Sequence, residues 1–146
     1  AILGSNINNT GAGKITLNNK GSSTGDIINN SDSASSRIEV INNVDKMLES
    51  TISNKRAGTI KLTNHGITTR DITNSGYKNS SIEITNEANA ILGSNINNTG
   101  AGTITLNNSG KSTGNIINDS DSKESQINVT NNAGATLDST ISNTKA

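Results

Sequence analysis

Residues 60–64 read IKLTN. Ile60 and Leu62 are apolar, Asn64 closes the stretch with an amide, and Lys61 and Thr63 stand between them. Alternation at a period of two is the pattern of a strand with one buried face. The same arrangement, apolar-x-apolar-x-Asn, returns at Ile15/Leu17/Asn19, Ile38/Val40/Asn42, Ile82/Ile84/Asn86, Ile104/Leu106/Asn108 and Ile127/Val129/Asn131. The interval between successive copies is nearly constant, about 22 residues, within the range of solenoid repeats.

A second motif, Ile-x-Asn, keeps pace with the first. It occurs at Ile7/Asn9, Ile27/Asn29, Ile52/Asn54, Ile72/Asn74, Ile96/Asn98, Ile116/Asn118 and Ile141/Asn143. Its steps alternate, short from Ile7 to Ile27, long from Ile27 to Ile52, and so on along the chain. Four residues before every other Ile of this set stands a leucine: Leu3, Leu48, Leu92 and Leu137. Over longer range, AILGSNINNTGAG at 1–13 is repeated letter for letter at 90–102, and a shift of 89 positions aligns residues 1–57 with 90–146. Such self-similarity marks a repeat architecture. Each unit holds two clear strands, and a third, shorter one is expected before them, as at Ala1-x-Leu3 and Ala90-x-Leu92. Helical spacing is missing, and the Gly, Asn, Ser and Thr content disfavours helix.

Composition points the same way. The 146 residues include no Phe, Trp, Pro or Cys, and one Tyr, so the aromatic area that fills a rounded core is missing. Polar low complexity is also the mark of disorder, but here the net charge is zero and Ile recurs in strict order. Balanced charge removes the electrostatic case for nucleic acid. No apolar run approaches the roughly 20 residues of a membrane-spanning helix. The absence of Cys excludes disulfides and thiolate metal sites.

Identical motifs in identical order stack best when the chain coils and each unit lies on the one before. Every strand then pairs in parallel with its copies at about 4.8 Å per layer, Ile on Ile and Asn on Asn. The expected fold is an all-β, single-stranded parallel β-helix of about seven coils of about 22 residues, roughly 30 Å long. The Ile, Leu and Val positions of both motifs form its core. Their asparagines form two ladders, each amide donating to the next, because a buried amide left unpaired costs about 1–3 kcal/mol. Outward positions read Thr16, Glu39, Lys61, Glu83, Thr105 and Asn128, so Glu39, Lys61 and Glu83 are expected as vertical neighbours of alternating sign. Odd coils carry short links at Thr10–Gly13 and Lys55–Gly58, and even coils longer ones at Ser31–Ser36, Ser75–Ser81 and Ser120–Ser125. One edge of the rod is thus expected to bulge on every second layer.

Little in the chain reads as chemistry. His65, the single histidine, follows Asn64 in a turn, without a catalytic partner motif. Asp32, Asp119 and Asp121 sit in even-coil loops two coils apart, outside any calcium repeat. Arg37, Arg56 and Arg70 are scattered, and Tyr77 stands alone in a loop, so a sugar-cleaving cleft is not expected. The sequence reading is a non-enzyme with no cofactor and no metal.

The stretches AGTIKLTNHG (57–66), AGTITLNNSG (101–110) and DITNSG (71–76) resemble the Gly-x-Ile-Thr-x-Asn-x-Gly coils in passenger regions of bacterial autotransporters and filamentous-haemagglutinin-type secreted adhesins. The resemblance runs the length of the chain. It implies a right-handed helix, exported and displayed at the bacterial cell surface as an extracellular stalk or adhesin. Its partners would be neighbouring coils or chains of the same protein and a host or cell-surface ligand. Both ends break off within a repeat and neither shows a cap, so residues 1–146 are expected to be one uncapped solenoid segment of a longer array. The alternative is a fibre subunit that stacks end to end into a cross-β filament.

Overall fold

The computed structural model describes residues 1–145. Its regular structure among these residues is all strand: twenty strands, β1–β20 in chain order, in three parallel sheets. Sheet 1 holds the shortest strands: β1 (Ile2–Leu3), β4 (Ser22–Ser23), β7 (Met47–Leu48), β10 (Ile67–Thr68), β13 (Ile91–Leu92), β16 (Lys111–Ser112) and β19 (Thr136–Leu137). Sheet 2 is the Ile-x-Asn motif: β2 (Ile7–Asn9), β5 (Ile27–Asn29), β8 (Ile52–Asn54), β11 (Ile72–Asn74), β14 (Ile96–Asn98), β17 (Ile116–Asn118) and β20 (Ile141–Asn143). Sheet 3 is the longer motif: β3 (Lys14–Asn19), β6 (Arg37–Asn42), β9 (Gly58–Asn64), β12 (Ser80–Asn86), β15 (Thr103–Asn108) and β18 (Gln126–Asn131).

Each strand pairs with its own copies one coil below and one coil above. Ile60 lies between Ile38 and Ile82, Leu62 between Val40 and Ile84, and Asn64 between Asn42 and Asn86. The molecule is therefore a β-solenoid, with six full coils and two strands of a seventh. Period-two alternation drives this arrangement. On β9 the burial runs buried, half-buried, buried along the whole strand, so one face is sealed in the interior and the other meets solvent.

The core is one continuous column. Ile27, Ile38, Val40, Ile52, Ile60, Leu62, Ile72, Ile82, Ile84, Ile96, Ile104, Leu106 and Ile116 are buried, joined by Leu48 and Leu92. Each such side chain removed from water stabilises the fold by about 1.5–3 kcal/mol. The first and last layers depart from the expected core. Ile7, Ile15, Leu17, Ile127 and Val129 are only partly buried, and Ile141 is 54% exposed. A layer with a neighbour on one side alone covers one flank of each inward side chain.

Sheet 1 carries a feature that the leucine pattern did not announce. Its inward position is Leu48 and Leu92 in odd coils but Ser23, Thr68 and Ser112 in even coils, all buried. The even-coil hydroxyls pair with serines two residues beyond the odd-coil leucines. Ser23 meets Ser50 at 2.9 Å and Ser94 donates to Thr68 at 3.0 Å. Ser112 lies 3.4 Å from Ser139.

Turn length alternates at two corners, not one. Between sheets 2 and 3 the links are short in odd coils and long in even coils, as expected. Between sheets 3 and 1 the order is opposite. Residues 20–21, 65–66 and 109–110 are short links, while 43–46, 87–90 and 132–135 are long. The two alternations compensate, which keeps the repeat of sheet 3 nearly constant. In the long links Asp45 (φ 59°), Asn89 (φ 68°) and Gly134 (φ 82°) occupy the same place. These are the residue types that tolerate a left-handed backbone.

Candidate functional site

The two asparagine rows are the most regular polar feature of the interior, and they behave differently. In sheet 3 the ladder is unbroken. Asn19 Nδ2 donates to Asn42 Oδ1 at 2.8 Å, Asn42 to Asn64 at 2.8 Å and Asn64 to Asn86 at 2.9 Å. Asn86 donates to Asn108 and Asn108 to Asn131, each at 2.8 Å. Each amide also reaches the backbone at the next corner: Asn19 to Met47 O (2.9 Å), Asn64 to Ile91 O (3.1 Å) and Asn108 to Thr136 O (2.9 Å). The ladder thereby ties each of these sheet 3 strands to the sheet 1 strand one coil beyond the one that follows it: β3 to β7, β9 to β13 and β15 to β19.

In sheet 2 the expected ladder breaks into pairs. Asn29 donates to Asn54 (3.0 Å), Asn74 to Asn98 (3.2 Å) and Asn118 to Asn143 (3.1 Å). The odd-coil amides turn elsewhere. Asn9, Asn54 and Asn98 donate to Gly13 O, Gly58 O and Gly102 O, four residues on, at 2.9, 3.0 and 2.9 Å. They also donate to a sheet 3 carbonyl of the next coil: Arg37 O at 3.4 Å, Ser81 O at 3.0 Å and Gln126 O at 3.1 Å. Neither bond goes to the next asparagine. Asn29, Asn74 and Asn118 accordingly keep an Oδ1 that is shielded from solvent and has no hydrogen-bond partner. The cause is turn length. A short odd link brings its glycine carbonyl back over the amide. The long even link instead offers a hydroxyl, Ser36 to Asn29 and Ser125 to Asn118, each at 3.1 Å.

The ladder residues at the last layers, Asn131 and Asn143, are exposed, and the other ladder residues are buried except half-buried Asn118. Sheet 1 repeats the pairing of sheet 2. Its serine contacts join coils two and three, four and five, six and seven, as the Asn29, Asn74 and Asn118 bonds do. Two corners thus agree that the structural unit is a pair of coils, held together as a rod by sheet 3.

The charged groups find partners inside the chain at the corner between sheets 2 and 3. Arg56 Nη1 lies 2.8 Å from Asp32, and Lys145 Nζ lies 3.8 Å from both Asp119 and Asp121. Lys78 reaches across two coils to Glu124 at 4.0 Å. These carboxylates answer to the chain's own cations. The vertical charge row is corrected in one respect. Lys61 does lie in register between Glu39 and Glu83. Glu39, however, takes Lys14 and Arg37, each at 2.8 Å. Hydrogen bonds from Lys14 and then Arg37 hold its carboxyl below the ordinary carboxylate range. His65 is half-buried in a short link, and Tyr77 is 52% exposed in a long one. Among the described residues no three His, Asp or Glu side chains gather as a metal site. No helix there is long and apolar enough to cross a membrane.

Compared with protein-family models, with curated proteins and with solved structures, the chain finds no match.

Proposed function

We propose that the chain is a rigid spacer in an extracellular surface protein of a bacterium, a stalk or adhesin segment without catalysis. The observation that carries this reading is the unbroken amide chain from Asn19 to Asn131, which runs through six coils in one direction. A slip of one residue in any coil would point its apolar set outward and break the ladder. Register is thereby locked along the whole rod, a property suited to holding something at a fixed distance. The resemblance of AGTIKLTNHG and AGTITLNNSG to adhesin coils supports display outside the cell, toward a host or cell-surface ligand.

Intact cells bearing the parent protein, probed with an antibody against the rod, test the display. Labelling of intact cells is expected. Labelling only after lysis would end the surface reading. Electron microscopy of the purified chain separates the alternative: short discrete rods accord with a spacer, long unbranched filaments with a subunit that stacks end to end.

A further inference from the structure

The corner between sheets 3 and 1 has a shape that the opposite corner shares and a chemistry that it does not. Along the rod, recesses at 20–21, 65–66 and 109–110 alternate with ridges at 43–46, 87–90 and 132–135. The recess floors are glycine by necessity. A Cβ on Gly66 would lie 2.3 Å from Lys46 O, and one on Gly110 2.4 Å from both Ala90 O and Glu87 O. A groove of about 500 Å³ lies over residues 109–110, between the ridges at Ala88–Asn89 and Ala133–Gly134.

Four large apolar side chains away from the end layers are exposed, and three of them sit on this edge or beside it: Val44 (63%), Met47 (36%) and Ile91 (39%). The charges here are also unmatched. At the corner between sheets 2 and 3 the acids pair with cations of the chain. Among the described residues, Asp45, Lys46 and Glu87 on the ridges and Lys20 and Lys111 by the recesses form no ion pair.

We propose that this edge docks a second copy of the same chain, side by side and antiparallel. A partner that fills the recesses must carry projections at every second layer, about 9.6 Å apart. It must also bring an acid to Lys111 and a cation to Asp45. A second copy meets both demands by construction. Place a two-fold axis between the recess at 65–66 and the ridge at 87–90. The ridge at 87–90 then faces the second copy's recess at 65–66, and the ridge at 43–46 faces its recess at 109–110. Every ridge meets a recess, as a closed two-fold interface requires. Asp45 comes opposite Lys111, Glu87 opposite His65, and Val44 enters the groove over Gly110. Each contact occurs twice.

Sedimentation velocity on the intact chain tests this, with circular dichroism as the check on folding. The chain is expected to form a dimer that saturates, with no larger species. Lys111→Glu sets two acids against each other at both symmetric contacts and is expected to weaken association about tenfold. The double variant Asp45→Asn/Lys111→Glu removes the repulsion with a residue type that Asn89 shows at the same left-handed position, and recovery to within about threefold of the parent is expected. A chain that stays monomeric at every concentration overturns the proposal. So does assembly that ignores Lys111→Glu or fails to recover in the folded double variant, which is the behaviour of stacking through the ends.

Discussion

Asn64 donates to Asn86 Oδ1 at 2.9 Å and to Ile91 O at 3.1 Å, while its own Oδ1 accepts from Asn42 at 2.8 Å and from the Gly66 N–H at 3.2 Å. Asn74, also fully buried, donates to Asn98 at 3.2 Å and keeps an unpartnered oxygen. Two residues of one type and one burial class thus differ in what their removal leaves behind. Asn64→Ala strands an acceptor and a corner carbonyl in the interior and is expected to destabilise by about 2–4 kcal/mol. Asn74→Ala strands the Asn98 acceptor but no corner carbonyl, and removes an oxygen that had no partner, for about 1–2 kcal/mol. Urea unfolding of both variants checks the ranking, and equal or inverted losses would count against the difference between the two rows. That these asparagines are buried and stacked was legible in the sequence, because each holds its place relative to an inward Ile. That one row is continuous and the other paired was not. It depends on whether each amide turns toward the next asparagine or toward corner carbonyls alone, which is set by the path of the turn.

At the level of strands and links, the long motif is self-announcing and the short strands are not. Sustained alternation, as along β9, specifies which face is inward. A strand as short as β4 or β16 contains no period at all. Ser23, Thr68 and Ser112 were therefore invisible as interior groups, although they sit at 0–2% exposure. A signal did exist in the even coils, where each stands four residues before its Ile as the leucines do. The links are similarly uneven. Gly66 lies under the carbonyls of the long link, whereas a Cβ on Gly13 meets nothing within 4 Å. Gly66→Ala is expected to destabilise by about 1–3 kcal/mol through overpacking against backbone that has no room to move. Gly13→Ala is expected to fall within about 0.5 kcal/mol of the parent. Thermal unfolding followed at the strand signal measures both. A tolerated Gly66→Ala would mean the long link is free to shift, and the recess with it.

As a whole molecule the rod is a one-dimensional stack, each coil touching the coils next to it. Its unit is a pair of coils, since the side-chain bonds of sheets 1 and 2 join alternate seams. Excision of two consecutive coils in phase should therefore be tolerated, because it brings Ser23 and Asn29 under Ser94 and Asn98 in place of Ser50 and Asn54. Removal of residues 47–90 joins Lys46 to Ile91, and Ile91 occupies the position that Met47 held. The shortened chain is expected to keep its strand signal in circular dichroism. Small-angle scattering is expected to show a rod shorter by two layers, about 9.6 Å. Collapse to coil would show that the stack is not modular at this period.

The stacking of like on like followed from sequence by itself. Repetition of one motif at a nearly constant interval leaves parallel pairing of copies as the arrangement that buries every Ile and pairs the Asn of the long motif. Tertiary structure alone decided which amides finish without a partner and which acid takes which cation. It also decided that ridges and recesses alternate along the edge between sheets 3 and 1. Those outcomes turn on small shifts of backbone in the links, where the chain leaves the repeating pattern and geometry, not periodicity, chooses between neighbours.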